Sequence, residues 1–120
     1  MRWAVGVLAA LLILATETAQ ADSIGHYKVS GVGPDGSPYS GEVAVEMTGN
    51  TFHVVRVIGG QRYVGTGLGD KNVLAVTYHT GNGTLLALYV QDDTGRWVGT
   101  WTYADGTRIG SEYWRPHVPH

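Results

Sequence analysis

The chain has 120 residues, of which 18 are glycine and none is cysteine, and its net charge is −2. That length holds one small domain. The missing cysteines exclude disulfides, thiol nucleophiles, lipid attachment at a cysteine and cysteine-ligated zinc, and the scattered Lys and Arg residues build no basic face for a nucleic-acid backbone.

Residues 1–21 read as an export signal. Arg2 supplies the positive start, Trp3 to Ala15 the apolar stretch, and Ala19-Gln20-Ala21 a small-x-small cleavage site. The apolar stretch is short for a membrane anchor. The mature chain is therefore expected to begin at Asp22, to have no membrane span, and to work in the periplasm or outside the cell. One domain is expected over residues 22–114, with a C-terminal tail over 115–120.

Seven turn signals divide the remainder. They are Pro34-Asp35-Gly36, Gly49-Asn50, Gly59-Gly60, Gly69-Asp70, Asn82-Gly83, Asp93-Thr94-Gly95 and Asp105-Gly106, and they recur roughly every 10–12 residues, as in a ladder of consecutive hairpins. The runs between them predict strands over Gly25–Gly31, Gly41–Thr48, Thr51–Ile58, Gln61–Leu68, Val73–His79, Thr84–Gln91, Arg96–Tyr103 and Thr107–Trp114. No window carries a helical period. The fold expected is all-β, an eight-stranded antiparallel up-and-down β-barrel, because closure removes the exposed edges of a small sheet.

In the second run Val43, Val45 and Met47 share one face and Glu42, Ala44 and Glu46 the other, which places the two glutamates in solvent. The fifth and sixth runs are apolar on both faces. One face belongs in the core and the other needs a cover; a second copy of the chain, giving a homodimer, or the His117–His120 tail would supply it. Val73, Val76, Leu86, Leu88 and Tyr89 are the candidate interface residues. Gly65, Gly67, Gly99 and Gly110 fall inside strands, where glycine weakens pairing. Sharp bends at barrel corners are the expected reason; the other is room for an aromatic neighbour or a ligand.

No catalytic or metal constellation emerges. Asp35, Asp70, Asp92, Asp93 and Asp105 sit at turns, where Asp supports the backbone. The serines lack a nucleophile-elbow context, and Gly65-Thr66-Gly67-Leu68-Gly69 is not followed by the Lys and helix of a phosphate loop. The five histidines do not combine into a ligand set, and the tail pair His117 and His120 would hold a metal only weakly. No cofactor and no metal are expected.

Aromatic residues cluster late in the chain. Trp97 and Trp101 share a strand face, and Tyr113 and Trp114 end the last run. They read as core, since each buried ring removes a large apolar area from water, or as the lining of a ligand cavity at Tyr63, Trp97, Trp101 and Tyr113. Two inward indoles would fill much of an eight-stranded interior.

Two resemblances bear on this pattern. Ile24-Gly25-His26-Tyr27 at the mature start and Trp114-Arg115 at the end are similar to the first-strand Gly-x-Trp and final-strand basic residue of calycin-like barrels of the lipocalin and avidin type, with Tyr in place of Trp. No biotin site carries over. Gly25-His26-Tyr27-Lys28-Val29, Pro34 to Gly41, Gly95-Arg96-Trp97-Val98-Gly99-Thr100-Trp101 and Gly110-Ser111-Glu112 resemble a group of short exported bacterial proteins labelled fibronectin-binding. Members often carry cysteines in the middle strands, and this chain has none.

The resulting expectation is an exported, non-catalytic binding module whose role, implied by that resemblance, is adhesion or protein interaction. The alternative is a small-ligand carrier for an apolar or sugar-like molecule at an aromatic barrel mouth. A cavity-type isomerase or cyclase is a third option, and it requires Glu112 or His53 to point inward.

Overall fold

The computed structural model describes residues 24–117, so the expected export signal over 1–21 and residues 118–120 of the expected tail lie outside the described residues. Eight antiparallel strands follow one another around a closed barrel: β1 Gly25–Val32, β2 Pro38–Thr48, β3 Thr51–Ile58, β4 Gln61–Gly69, β5 Val73–Thr80, β6 Gly83–Gln91, β7 Trp97–Tyr103 and β8 Gly110–Pro116. Each strand pairs with the next, and β8 closes on β1, with Ser30 opposite Tyr113 and Val32 opposite Ser111.

The hairpins follow from the turn residues. Gly59 and Gly60 both adopt positive φ, 56° and 80°, the geometry of the two-residue turn whose twist matches paired strands. Between β2 and β3 only Gly49 is positive, at 60°, which is the mirror-type turn with glycine first. Asp70 and Asp92 brace longer loops by accepting backbone N–H groups from Asn72 at 2.8 Å and Thr94 at 2.9 Å.

Two strands differ from the sequence reading by more than one residue at an end. β2 starts at Pro38, and β8 spans Gly110–Pro116 instead of Thr107–Trp114. Closure is the cause. The β1 edge demands a partner over Tyr27–Val32, so Arg115 and Pro116 pair with Lys28 and Tyr27 and leave the expected tail. The His117 N–H then donates to the His26 carbonyl at 2.9 Å.

The interior has three levels. The base, at the end carrying the β2–β3, β4–β5 and β6–β7 turns, packs Tyr27, Phe52, Leu74, Trp97 and Trp114. The Trp114 ring lies 5.6 Å from Tyr27 and 4.1 Å from Tyr89, centroid to centroid. The middle holds Arg56, Glu112, Tyr78 and Tyr89, and the opposite mouth carries Tyr39, Tyr63 and Trp101. Burying one such aromatic side chain contributes about 2–3 kcal/mol.

The inward glycines are occupied space. A Cβ on Gly99 would collide with the Tyr89 ring, and one on Gly110 would lie 2.7 Å from the Trp101 indole nitrogen. On Gly65 it would lie 2.8 Å from the Tyr78 ring, and on Gly31 2.6 Å from the Tyr39 hydroxyl. Room for an aromatic neighbour, the second of the two reasons considered, is what the structure shows at Gly65, Gly99 and Gly110.

Candidate functional site

Alternation along the strands aims two opposite charges into the barrel. On β3, Phe52, Val54, Arg56 and Ile58 share the inward face. On β8 that face carries Gly110, Glu112 and Trp114. Arg56 and Glu112 are 3% and 0% exposed, and Arg56 Nη2 donates to Glu112 Oε1 at 2.7 Å. Arg56 Nε donates to both carboxylate oxygens, at 3.1 and 3.2 Å.

Glu112 is the acceptor on which the interior converges. It accepts the hydroxyls of Tyr39 at 2.6 Å and Tyr89 at 3.0 Å, and the Trp114 indole N–H at 2.8 Å. Because Tyr89 spends its proton on Glu112, Tyr78 is the donor in the 2.8 Å Tyr78–Tyr89 pair. Tyr39 in turn accepts from Trp101 Nε1 at 2.8 Å and from Arg56 Nη2 at 3.3 Å. Four rings surround the guanidinium, with Tyr63 nearest at 4.8 Å and Tyr39, Trp101 and Tyr78 at 5.4, 5.4 and 5.6 Å.

The protonation states follow from this setting. Burial pushes the Glu112 carboxyl up, but the adjacent Arg56 charge and the donated hydrogen bonds outweigh it and hold the group below its ordinary value. Burial also opposes the Arg56 charge, and Glu112 overcomes that and raises it. Tyr39, Tyr78 and Tyr89 are all pushed up, first by burial; the Glu112 charge adds to the rise at each. At neutral pH the network is one ion pair wrapped in neutral phenols.

Above this network the mouth opens into a cavity of about 490 Å³. Tyr39, Arg56, Tyr63 and Trp101 form its inner wall; Ile58, Tyr103 and Arg108 line it nearer the rim, with Asp35 from the β1–β2 loop. The volume falls in the range of small-molecule sites. Among the described residues no group of three His, Asp or Glu side chains is placed to hold a metal ion.

Of the four residues expected to line a ligand site, the structure brings two together. Tyr63 and Trp101 line the mouth. Trp97 is buried in the base, at the other end of β7. Tyr113 faces outward and is 40% exposed, with the Arg96 guanidinium 4.6 Å from its ring. Both indoles of β7 do point inward, yet the cavity persists. Trp97 plugs only the base, and Trp101 is pinned to the mouth wall by Tyr39.

The expected interface set also divides. Val76 and Tyr89 are core residues, while Val73, Leu86 and Leu88 lie on the outside, beside Val90. Glu42 and Glu46 face solvent as expected, and Lys28 bridges Glu42 at 2.9 Å. Glu112 points inward, and His53 lies on the outward-facing side of β3.

The sequence reading missed Tyr39, Arg56, Tyr103 and Arg108. Arg56 left a signal, being one charge on an otherwise apolar face of Phe52, Val54 and Ile58. Glu112 between Gly110 and Trp114 left another. Tyr39 left none because the sequence reading starts the second strand at Gly41, short of it, and Arg108 left none because the β7–β8 loop places it.

No protein-family model and no curated protein matches the chain. Solved structures do. The redesigned β-barrel mFAP1, bound to DFHBI, aligns with a TM-score of 0.63 at 19% identity, over 81% of this chain and 98% of its own. A second redesigned barrel, b11L5F_LGL, gives 0.63 at 18% identity over 82% and 97%. EF1p2_mFAP2b bound to DFHBI gives 0.54 at 13% identity over 80% and 94%. At these identities the likeness establishes the closed barrel.

Proposed function

We propose that this protein is a small-ligand carrier that holds its ligand in the barrel mouth. The observation behind this reading is the cavity of about 490 Å³, walled by Tyr39, Tyr63 and Trp101, in a barrel whose base is plugged by Trp97 and Trp114. The Arg56–Glu112 network braces the floor of that cavity. Two of the similar barrels, each bound to DFHBI, support the same use of this architecture.

Binding fits the chemistry better than catalysis. The Tyr39 hydroxyl donates once and accepts twice, which is all a hydroxyl does. Both oxygens of Glu112 are fully engaged. Neither group is left to move a proton on a bound molecule without dismantling the core.

The test is native mass spectrometry of the protein from its own cell, joined to titration with anilinonaphthalene sulfonate. An extra mass lost on denaturation, or saturable dye binding removed by Ile58→Trp at the mouth, supports the reading. A clean mass together with dye binding unchanged in a folded Ile58→Trp variant overturns it.

A second reading, protein interaction, rests on a different surface. Val73, Leu86, Leu88 and Val90 form an apolar outer patch across β5 and β6, and contiguous patches of that kind mark contact sites. Either role is proposed to be played in the periplasm or outside the cell, on the support of the apolar stretch Trp3 to Ala15 and the Ala19-Gln20-Ala21 motif.

A further inference from the structure

We infer that the mouth cavity takes a planar aromatic acid, its carboxylate or phenolate oxygen seated on the free edge of Arg56. The inference rests on the carrier reading and specifies its ligand.

A count of donors and acceptors leads there. Tyr39 is saturated, and the single N–H of Trp101 is spent on it. Glu112 accepts from Arg56, Tyr39, Tyr89 and Trp114. Of these four groups at the cavity floor, Arg56 alone has capacity left; the hydroxyls of Tyr63 and Tyr103 and the Arg108 guanidinium add free donors on the wall and rim. The Nε and Nη2 of Arg56 are engaged, but among the described residues nothing accepts from Nη1, which carries two N–H donors. Among the described residues the one fully buried side-chain polar atom without a partner is Trp97 Nε1, in the base. Nη1 is therefore reached from the cavity that Arg56 lines.

That remaining group sets the ligand chemistry. A guanidinium only donates and keeps its proton, so its complement is an acceptor, best an anionic oxygen. Three rings that line the cavity, those of Tyr63, Tyr39 and Trp101, stand 4.8, 5.4 and 5.4 Å from the guanidinium carbon. An oxygen on Nη1 therefore draws the body of its molecule among aromatic walls, which a flat conjugated ring fills best. Glu112 already balances the Arg56 charge, and Arg108 on the rim supplies the second cation. The rim carboxylate of Asp35 is occupied by the Ser37 N–H and hydroxyl, both at 3.0 Å.

The test titrates the protein with three probes of one shape, naphthoate, naphthamide and naphthylmethylammonium, by calorimetry at neutral pH. Naphthoate is expected to bind about tenfold or more tighter than the amide, the worth of a hydrogen bond to a charged group, and the ammonium to bind weakest. Equal affinity for acid and amide, or tightest binding of the ammonium, overturns the inference and leaves the carrier reading standing. No saturable binding of any probe removes both. Ile58→Trp is expected to abolish naphthoate binding, and retained binding there puts the acid elsewhere and overturns the inference. Arg108→Gln is expected to keep the preference for the acid, because Arg56 sets it; loss of preference in that variant overturns the role of Arg56. The variants of Arg56 itself risk the fold, so the probe series on the unaltered protein carries the decision.

Discussion

Arg56 on β3 and Glu112 on β8 meet inside the barrel, side chain to side chain, with Nη2 2.7 Å from Oε1. Two strands, β1 and β2, separate them around the wall, so the pair ties the sheet across its interior. A buried ion pair is weak evidence of stability in itself, but breaking one by removing a single partner costs about 3–5 kcal/mol.

The two halves of that pair are not equivalent. Removing Arg56 leaves Glu112 with three other donors, from Tyr39, Tyr89 and Trp114. Removing Glu112 leaves those three without their acceptor and strands a buried guanidinium. Glu112→Leu is expected to cost more than Arg56→Met in urea denaturation, each by several kcal/mol. Equal costs would show that the surrounding hydrogen bonds add nothing to the pair.

The same network sets a pH window. Glu112 has a folded-state pKa below its ordinary 4.5, so the unfolded chain binds its proton first as the pH drops. Its stabilisation is complete above 4.5 and is lost as the pH falls through the lower folded value. Tyr39, Tyr78 and Tyr89 run the other way. Each is raised above an ordinary 10.0, so their contribution is complete below 10 and declines as the pH climbs toward the folded values. Denaturation midpoints are expected to fall at both ends of this window, on the acid side with Glu112 and on the alkaline side with the three tyrosines. Glu112→Gln, assayed on the same scale, should make the acid limb shallower, the rest of it coming from Asp35, Glu42, Asp70 and Asp92, which hydrogen bonds also hold below their ordinary values.

Gly99 faces the Tyr89 ring at a distance no Cβ tolerates. Gly99→Ala is therefore expected to destabilise the barrel by about 1–3 kcal/mol through overpacking, and Gly99→Ala combined with Tyr89→Leu by less than the sum of the two. Thermal melts of the four proteins in the cycle measure the coupling.

A ligand in the mouth touches one tryptophan of the barrel. Trp101 lines the cavity, while Trp97 and Trp114 are sealed in the base. Ligand-dependent changes in tryptophan fluorescence are expected to vanish in Trp101→Phe and to survive in Trp97→Phe. Survival in Trp101→Phe would place the ligand outside the mouth.

The outer patch gives a separate expectation. Leu86 and Leu88 are 50% and 49% exposed, so Leu86→Lys and Leu88→Lys should change stability by no more than about 0.5 kcal/mol. If the patch is a contact surface, sedimentation should show weaker association in both variants. Association unchanged across the series would remove the protein-interaction reading.

Strand number, antiparallel order and closure are legible in the sequence. Turn residues such as Gly59-Gly60 and alternation such as Val43, Val45 and Met47 are local signals, decided within a few residues of chain. Even the two-sided apolar character of β5 and β6 was readable, although not which side of Val73, Val76, Leu86, Leu88 and Tyr89 faces in. A strand's period of two says which residues share a face and is silent on which face is the core. The site depended on more than that. Arg56 and Glu112 lie 56 residues apart, and only the closing of β8 on β1 brings their strands around to face each other. Trp97 and Trp101 share a strand face, yet one plugs the base and the other lines the mouth, because position along the barrel axis is a property of the closed sheet. The sequence alone determined a small β-barrel from local backbone chemistry. Tertiary closure decided where its charges meet, which end is filled and which end stays open, because those depend on contacts between strands that no local pattern records.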